Sequence, residues 1–544
     1  MILINSSYLA LSYYYTNTES IPTFGGEYIE GMVGQPRFIN PILSQTNDID
    51  SDLSSIIYSS LLKLDSEGKL VNDLAESYEI GDDNLSYTFH IKKGVKWHAK
   101  KELAWEDRKD LTVDDIIYTI QTIQNPEFNS SLRANWTGVR AEKIDDYTIQ
   151  FILKNSYSPF LNNLTFGILP KHLWSLIGTS NFLRAEYNFR PVGSGPYKFK
   201  QLTKDKEGKI NSFELIVNEN YYGQKPYIEK IMYKFFPEEK ELISAFNRKE
   251  INGMNYLSPA NKEKIINITK ANIYRLKIPR YFAIFFNQTK NKALSDENVR
   301  IALNYAIDKN KLIEDILFGE GTPSDGPIPA QLLGHNPDTK IYNFDQEQAK
   351  NILEDAGWID SDADGIREKE EVKIEFTLII PKQKELEELG ILIQQMWKEI
   401  GVKVEIKEVP TEENQLSDNY IKPREYEAIL VAQILNYDPD PFAFWHSSQK
   451  RETGLNLSLY DNPEVDKILE EARQEINAEA RAEKYKKFQE LLIEDNPAIF
   501  LYSPNYLYVH DKSISGANLD NIVIPSDRFN EIENWYMKTK RVWK

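Results

Sequence analysis

The segment DSDADGIREKEE, at residues 360–371, has the residue types and the spacing of a calcium-binding loop. Carboxylates stand at loop positions 1, 3 and 5, a glycine at position 6 and a glutamate at position 12, which is the EF-hand pattern. Ca²⁺ prefers six to eight oxygen ligands, and the glycine permits the sharp turn that such a loop needs. The predicted ligands are Asp360, Asp362, Asp364, the carbonyl of Ile366, Glu368 directly or through water, and Glu371.

The elements around this loop indicate what kind of calcium site it would be. The sequence predicts a helix over residues 345–356, ended by Gly357, and a strand over residues 372–380. Because a strand replaces the second helix of an EF-hand, a bound ion would hold the structure together rather than act as a sensor. The alternative is an acidic surface turn without an ion.

The residue types that enzymes use for covalent or metal chemistry form no recognisable arrangement. The chain has no cysteine, and its six histidines make neither an i, i+4 pair nor an H-E-x-x-H motif. No G-x-S-x-G, P-loop or G-x-G-x-x-G motif occurs, and GSGPY at residues 193–197 is typical of a turn that enters a strand. The 83 acidic residues suggest no carboxylate pair, so a glycoside hydrolase is a remote alternative. The sequence predicts no catalytic activity and no organic cofactor.

Length and composition limit the remaining classes. A chain of 544 residues is too long for one ordinary core, so about three folding units are expected. The net charge of −18 argues against a nucleic-acid partner, because phosphate binding depends on clustered cations. No apolar run approaches the roughly 20 residues of a membrane helix. Residues 1–23 lack the basic start of a secretion signal and are predicted to be a disordered tail or a signal remnant.

Helix-like and strand-like segments alternate along the chain, which predicts a mixed α/β fold. Thr112 and Asp115 have the spacing of a capping box at the start of one helix. Another helix ends at Gly401 and leads into VKVEIKEV, which alternates apolar and charged residues as a strand does. A third helix has a buried stripe of Val299, Ala302, Leu303, Ala306 and Ile307. Further strands are predicted over residues 147–154, 212–221, 281–287, 427–435 and 498–504, and the longest helical region over 465–494.

Several segments, none sufficient alone, together resemble one protein family in their order and spacing. They are GQPRFINPIL (34–43), IIYSSLLKLDSEGKLVNDLAESYEI (56–80), LSYTFHIKKGVKWH (85–98), LTVDDIIYTI (111–120), PVGSGPYKF (191–199), NVRIALNYAIDKNKLI (298–313), YDPDPFAFWHSSQ (437–449) and NPEVDKILEEAR (462–473). The chain resembles the extracytoplasmic solute-binding proteins of ABC importers, in the oligopeptide- and dipeptide-binding family 5. The resemblance covers nearly the whole chain from Gly25 onward.

This resemblance implies an α/β, two-lobed periplasmic-binding-protein fold with an extra inserted domain and two crossover strands between the lobes. Domain I would comprise residues 24–60, 191–278 and 501–544, domain II residues 61–190 and domain III residues 279–500. The short apolar segments YFAIFFN and AIFLYSP fall where the crossover strands are needed.

The resemblance also implies a function and a location. The chain would capture an oligopeptide in a cleft between its lobes, close around it by a hinge motion and deliver it to the membrane subunits of an ABC transporter. It would act outside the cytoplasm as a monomer, and the lack of cysteine leaves the mode of anchoring open. Peptides in this family pair with backbone edges, a form of β-augmentation. An oligosaccharide, a chelated metal or another solute remain alternative ligands.

The ligand-binding residues are inferred from their positions in the resembled pattern. They follow the first strand and the GMNY turn, lie on the two crossover strands, end the EAILVAQIL strand, follow the DPDP turn or reach in from domain II. They are Thr46, Asn47, Trp136, Asn255, Tyr256, Tyr281, Phe282, Ala432, Gln433, Ile434, Leu435, Trp445 and Tyr502.

One of these positions departs from the resembled family. Its peptide-binding members usually place an aspartate three residues before the aspartate-proline turn, where it pairs with the ligand's α-ammonium, and this chain has Leu435 there. A buried ammonium without a partner costs several kcal/mol of desolvation, so a free amino terminus is predicted to be disfavoured at that point. Asp438 or Asp440 could substitute, but each precedes a proline, and helix N-capping is their predicted role.

Overall fold

The structure is a computed structural model that describes residues 13–66, 68–98, 109–266, 268–411, 414–436, 438–451, 454–519 and 522–544. The chain divides into two compact units. Unit 1 consists of Met1–Asn155, Leu161–Leu276 and Tyr506–Lys544, and unit 2 of Ser156–Phe160 and Lys277–Asn505. Each unit contains both helices and sheets, which confirms the predicted mixed α/β class.

The two units differ in detail from the predicted division into domains. Ser156–Phe160, which fell inside predicted domain II, groups with unit 2. The segments YFAIFFN and AIFLYSP, predicted as crossover strands, are neighbouring antiparallel strands within the sheet of unit 2. The chain passes from one unit to the other just outside them, at Leu276–Lys277 and Asn505–Tyr506. The separation of domains I and II stays a prediction.

Unit 1 contains a seven-stranded sheet, a four-stranded sheet and two two-stranded ribbons. Its strands are β1 (Thr18–Thr23), β2 (Glu27–Val33), β3 (Leu62–Leu64), β4 (Leu70–Asn72), β5 (Ala75–Ile80), β6 (Ser86–Ile91), β7 (Arg140–Asp145), β8 (Thr148–Ile152), β9 (Tyr197–Lys204), β10 (Ile210–Val217), β11 (Lys230–Phe236), β12 (Gly253–Met254), β13 (Ala271–Leu276), β22 (Tyr506–Asp511) and β23 (Lys538–Trp543). The large sheet has the order β13-β22-β12-β2-β11-β10-β9, in which β2 runs parallel to both of its neighbours. The four-stranded sheet, β5-β6-β8-β7, is antiparallel.

The helices of unit 1 are α1 (Asp48–Ile57), α2 (Val113–Gln124), α3 (Arg133–Trp136), α4 (Lys171–Trp174), α5 (Thr179–Phe182) and α6 (Glu239–Asn247). The capping box predicted for α2 is confirmed, since the Thr112 backbone N–H donates to the Asp115 carboxylate at 3.0 Å. GSGPY is a turn into β9, as predicted. Glycine is required there because a Cβ on Gly193 would lie 1.9 Å from the Ile57 carbonyl oxygen.

The predicted disordered tail is wrong for its last residues. Thr18–Thr23 form β1, which pairs antiparallel with β23 along its whole length. Arg541 of β23 donates to the Thr18 hydroxyl at 2.8 Å and to the Thr18 carbonyl at 2.7 Å. The partner strand lies more than 500 residues away in sequence, so no local pattern could predict this pairing. Residues 1–12 lie outside the described part of the chain.

Unit 2 contains a six-stranded mixed sheet with helices against it. Its strands are β14 (Arg280–Phe286), β15 (Gly321–Pro323), β16 (Glu368–Lys369), β17 (Val372–Lys373), β18 (Glu375–Pro381), β19 (Lys403–Val409), β20 (Ala428–Ile434) and β21 (Ala498–Pro504). Its helices are α7 (Lys292–Ser295), α8 (Glu297–Tyr305), α9 (Lys309–Leu317), α10 (Gln346–Asp355), α11 (Lys384–Lys398), α12 (Phe442–Trp445), α13 (Pro463–Gln474) and α14 (Ala478–Asp495). The predicted helix over 465–494 is broken, because Asn477 caps a new helix by accepting from the Ala480 N–H.

The sheet of unit 2 has the order β15-β21-β14-β20-β18-β19 and is buried on two faces. Alternate residues of β14 and β20 point to opposite faces, as the period of a strand requires. Ile284, Phe286 and Leu430 pack on one face with residues of α8, α9 and α11. Phe285 and Ile429 pack on the other with residues of α13 and α14. Strands buried on both sides explain why YFAIFFN and EAILVAQIL are almost wholly apolar.

Candidate functional site

The candidate site in unit 2 lies at one end of the strands of its sheet. Strands β18, β19 and β20 run parallel, so their carboxyl ends lie at the same end of the sheet. The amino end of the antiparallel strand β14 lies there too. Ligands of open α/β sheets bind outside the carboxyl ends of the strands, where the strand order reverses. Here β18 lies between β19 and β20, so the reversal falls at β18.

The backbone of β20 is partly unpaired at this end of the sheet. On one side β20 pairs with β14 from Ala428 to Ile434. On the other, within the described residues, it pairs with β18 only at Ala428 and Ile429. Leu430 to Ile434 therefore have no strand partner on the β18 side in that part of the chain. An extended peptide can add to such an edge by backbone hydrogen bonds, with its alternate side chains in flanking pockets.

One face of the sheet carries a group of side chains at this same end. We call Arg280, Phe282, Ala432 and Ile434 the Arg280 face; Arg280 is the strand partner of Ile434, and Phe282 of Ala432. Ile434 is 59% exposed and Ala432 is exposed, whereas Phe282 is half-buried. Tyr502 of β21 is the strand partner of Phe282, and their ring centroids are 5.4 Å apart. Tyr502 is only 1% exposed, so its side chain belongs to the core and not to the ligand surface predicted for it. Burial raises the pKa of the Tyr502 hydroxyl, although the Arg280 charge acts the other way, so Tyr502 stays a neutral phenol.

On the opposite face of the sheet, several side chains that were predicted to contact the ligand are buried. Tyr281, Gln433, Leu435 and Trp445 are at most 5% exposed. The Tyr281 hydroxyl donates to the Gln433 Oε1, and Trp445 packs against Phe500 with ring centroids 6.0 Å apart. These side chains belong to the core on the α13 and α14 side. Only the main chain of Gln433 is left at the edge of β20.

Unit 1 places its predicted ligand residues in three different settings. Asn255 and Tyr256 follow β12 at the carboxyl ends of the parallel strands β2 and β12, and Tyr256 is 36% exposed with its ring 5.1 Å from Tyr506. Thr46 is exposed, whereas Asn47 caps α1 by accepting from the N–H groups of Ile49 and Asp50. That cap explains the choice of asparagine without a ligand.

Trp136, which was predicted to reach the ligand from domain II, lies instead in the core of unit 1. Its side chain is fully buried in unit 1, with its ring centroid 5.5 Å from Phe166 and 5.8 Å from Phe151. An aromatic in this setting stabilises the core by its buried area and cannot contact a ligand as predicted.

The two aspartates after β20 are both neutralised by arginines. Asp438 Oδ2 lies 2.8 Å from Arg481 Nη2 and accepts from the Tyr485 hydroxyl at 3.1 Å. Asp440 forms a two-pronged pair with Arg473, with N–O distances of 2.8 and 2.6 Å, and accepts from the Tyr157 hydroxyl at 3.2 Å. The predicted N-capping role is wrong, because Pro441 precedes α12 and no side chain caps it.

Sequence reasoning missed Arg280 and the two arginines that pair with Asp438 and Asp440. Arg280 directly precedes the apolar run YFAIFF, so a charge at a strand end was visible. Arg473 and Arg481 lie more than 30 residues from their partners, on α13 and α14, where helical charges usually face solvent. Only the tertiary packing shows that they are pairing residues.

The predicted calcium loop contains a smaller carboxylate cluster than the sequence suggested. Oxygens of Asp360, Asp362 and Glu368 lie within 4.8 Å of one another, a donor set that suits a hard cation. Asp364 is outside that cluster. Lys373 donates to Asp362 at 2.9 Å and to Asp364, and its hydrogen bond to Asp364 lowers the pKa of that carboxyl group.

Glu371, the predicted closing ligand, lies in the turn between β16 and β17 with a φ of 67°, and is exposed. It too is outside the carboxylate cluster. Its neighbour Glu370 also has a positive φ, of 49°, which is the conformation of a type I′ hairpin turn. The hairpin puts the side chains of β17 next to the loop, and this is how Lys373 of that strand comes to pair with it.

Comparisons with known proteins agree with this fold along most of the chain. Residues 69–454 match the model of the bacterial extracellular solute-binding proteins, family 5. The chain therefore belongs to this family of solute-binding proteins, as the sequence predicted. The oligopeptide-binding protein AppA of Bacillus subtilis is 30% identical over 528 residues, which is 95% of this chain and 92% of that protein. The dipeptide-binding protein of Escherichia coli is 27% identical over 90% of this chain and 91% of that protein.

Solved structures give the same result. The structure of Bacillus subtilis AppA in complex with a nonapeptide has a TM-score of 0.74, with 27% identity, and covers 95% of this chain and 100% of that one. The two-lobed binding-protein fold predicted from the sequence is confirmed by this similarity. Among the described residues, no helix is long and apolar enough to cross a membrane.

Proposed function

We propose that this protein is an extracytoplasmic receptor that binds an oligopeptide and delivers it to an ABC importer, without chemically changing it. The observation that carries the proposal is the unpaired edge of β20, from Leu430 to Ile434, in a chain similar over 95% of its length to an oligopeptide-binding protein. An extended backbone is the ligand chemistry that such an edge recognises.

The side chains around this edge support a peptide with varied residues. Ala432 and Ile434 offer an exposed apolar surface, and the half-buried ring of Phe282 lies beside it, backed by the buried ring of Tyr502. Apolar contacts of this kind contribute binding free energy in proportion to the buried area, so they do not select one particular side chain of the peptide. The proposal includes a monomeric receptor, and the hinge closure predicted from the sequence stays a prediction.

The proposal is tested by identifying the ligand. Protein purified from a bacterial host is denatured and the released molecules are analysed by mass spectrometry. The refolded protein is then titrated by calorimetry with pools of unmodified peptides and, separately, of neutral oligosaccharides. We expect one peptide per chain, recovered intact. Binding of saccharides alone would contradict the peptide assignment, and hydrolysis of the peptides would contradict the receptor.

We also propose that the loop at residues 360–371 binds Ca²⁺ as a structural ion. Asp360, Asp362 and Glu368 would be its carboxylate ligands, and their clustering supports the proposal. Lys373 already neutralises Asp362 and Asp364, so its ammonium group would have to move away when the ion binds.

A further inference from the structure

Arg280, in unit 2, has an unusual environment for a charged side chain. Its guanidinium lies 5.8 Å from the centre of the Phe282 ring, and its Nε is buried without a hydrogen-bond partner. No carboxylate of the described residues comes within 4.0 Å of it. Burying part of a guanidinium without an acceptor costs free energy, so this arrangement calls for an explanation.

Other arginines of the same unit show how this fold normally treats such a group. They donate to carboxylates or to backbone carbonyl oxygens, and they are Arg300, Arg367, Arg424, Arg473 and Arg481. Arg300, for example, donates to the carbonyls of Leu294, Asp495 and Asn496. Arg481 also has a buried Nε without a hydrogen-bond partner, but its Nη2 pairs with Asp438. Arg280 differs in that its guanidinium has neither an ion pair nor a hydrogen bond within the described part of the chain.

Its position is at the candidate site. Arg280 is the first residue of β14 and the strand partner of Ile434, which ends the unpaired edge of β20. Asp438 and Asp440, the carboxylates that follow β20 in the chain, are held by Arg481 and Arg473. The one carboxylate whose charge acts on the pKa of Tyr502 among the causes of its shift is Glu385, which raises that pKa while Arg280 lowers it, and Glu385 is exposed in the first turn of α11.

We propose that Arg280 binds a carboxylate of the peptide that pairs with β20. Guanidinium and carboxylate groups make two parallel hydrogen bonds in one plane, and the aromatic ring of Phe282 beneath the guanidinium leaves its outer edge available for them. The exposed Ile434 next to Arg280 would shield the pair from water on one side, which strengthens it. This inference rests on the proposed function, and it adds that the receptor prefers ligands with a free carboxylate near this end of β20.

The carboxylate could be the carboxyl terminus of the peptide or an acidic side chain, and three peptide pools distinguish the two. One pool of random pentapeptides has free carboxyl termini and no acidic residue, the second has the same sequences as amides, and the third is the amide pool with one glutamate per peptide. Wild-type protein, Arg280→Gln and Arg280→Lys are each incubated with the pools, and the retained peptides are quantified by mass spectrometry.

We expect wild-type protein to retain the free-carboxylate pool, or the glutamate pool, about tenfold more than the neutral amides, which is the contribution of roughly one charged hydrogen-bonded pair. Arg280→Gln should lose this preference, and Arg280→Lys should keep part of it. Lys398→Gln removes an exposed cation in the last turn of α11, near the amino end of β19 and away from the site, and should leave the preference unchanged. Melting temperatures show whether each variant is folded.

The outcomes separate the two proposals. Equal retention of all three pools by wild-type protein, or an unchanged preference in Arg280→Gln, overturns the role of Arg280 while leaving a peptide receptor. Retention of no pool by folded protein contradicts the peptide receptor itself, and with it the role of Arg280.

Discussion

Asp438 and Arg481 form a buried ion pair, with an Oδ2–Nη2 distance of 2.8 Å and side chains that are 5% and 9% exposed. Burial raises the pKa of Asp438, while Arg481 opposes this shift, and the Tyr485 hydroxyl donates a further hydrogen bond. The carboxylate is thus already satisfied within unit 2. It is therefore not available as an anchor for a ligand ammonium, and Asp440, paired with Arg473, is not available either.

The first prediction concerns the amino terminus of a bound peptide. Because Leu435 is buried and both following aspartates are paired, N-acetylation of a bound peptide should weaken binding by less than about tenfold, roughly 1.4 kcal/mol. Isothermal titration calorimetry with the free and the acetylated peptide measures this ratio. A larger loss would mean that a carboxylate anchor exists, and Asp438→Asn and Asp440→Asn would then show which residue supplies it.

The second prediction separates core residues from ligand residues on adjacent positions of β14. Phe282→Ala should weaken peptide binding, because its half-buried ring lies on the Arg280 face, while costing less stability than truncation of a fully buried aromatic residue. Tyr281→Ala should lower the free energy of unfolding by about 3–5 kcal/mol, as large-to-small core substitutions do.

Chemical denaturation and calorimetry on both variants check this difference. Trp136→Ala, a change in the core of unit 1, is the matched control: it should lower stability as Tyr281→Ala does and leave the affinity of the folded protein unchanged. If Phe282→Ala binds peptide as well as wild-type protein does, the Arg280 face is not a ligand surface.

In both units the sequence predicted the local elements better than the packing around them. The capping box, the strands YFAIFFN and EAILVAQIL and the order of motifs all depend on local patterns, and the structure confirms them. Local patterns do not say which face of a strand is covered. Tyr281 and Phe282 are adjacent in sequence, but Tyr281 is buried and Phe282 is only half-buried. Helices α13 and α14 cover the face of β14 that carries Tyr281, whereas the other face is exposed at the end of the strand. The arginine partners of Asp438 and Asp440 could not be predicted either, because local patterns do not show how α13 and α14 pack against the residues that follow β20.

The third prediction concerns a buried cluster in unit 1, formed by Arg528, Glu30 and Asp52, all fully buried. Burial raises the pKa of Asp52 to about 7, against the opposing charge of Arg528, and it also raises the pKa of Glu30. An unfolded aspartate titrates at about 3.9. Between these pH values the folded protein binds more protons than the unfolded chain, so the stability from protonated Asp52 is lost as the pH rises through about 7.

The test compares wild-type protein with Asp52→Asn, which cannot titrate at this position. The stability advantage of wild-type protein over Asp52→Asn should be greatest near pH 5 and should shrink toward pH 8. Urea denaturation at several pH values measures it, and Asp82→Asn, at an exposed position, is the control. An advantage that stays constant from pH 5 to pH 8 would show that Asp52 is ionised in the folded protein throughout this range and that Arg528 dominates its environment.

The last prediction decides between calcium and lysine at the loop of residues 360–371. If Ca²⁺ binds there, it must stabilise the folded state by mass action, so millimolar Ca²⁺ should raise the melting temperature and EDTA should lower it. Asp362→Ala should remove most of this effect. Lys373→Met removes the cation that competes for Asp362 and Asp364, so it should strengthen calcium binding while destabilising the metal-free protein. If instead EDTA leaves the melting temperature unchanged, elemental analysis finds no metal and Lys373→Met responds no more to Ca²⁺ than wild-type protein does, then Lys373 alone holds the loop and the calcium site does not exist.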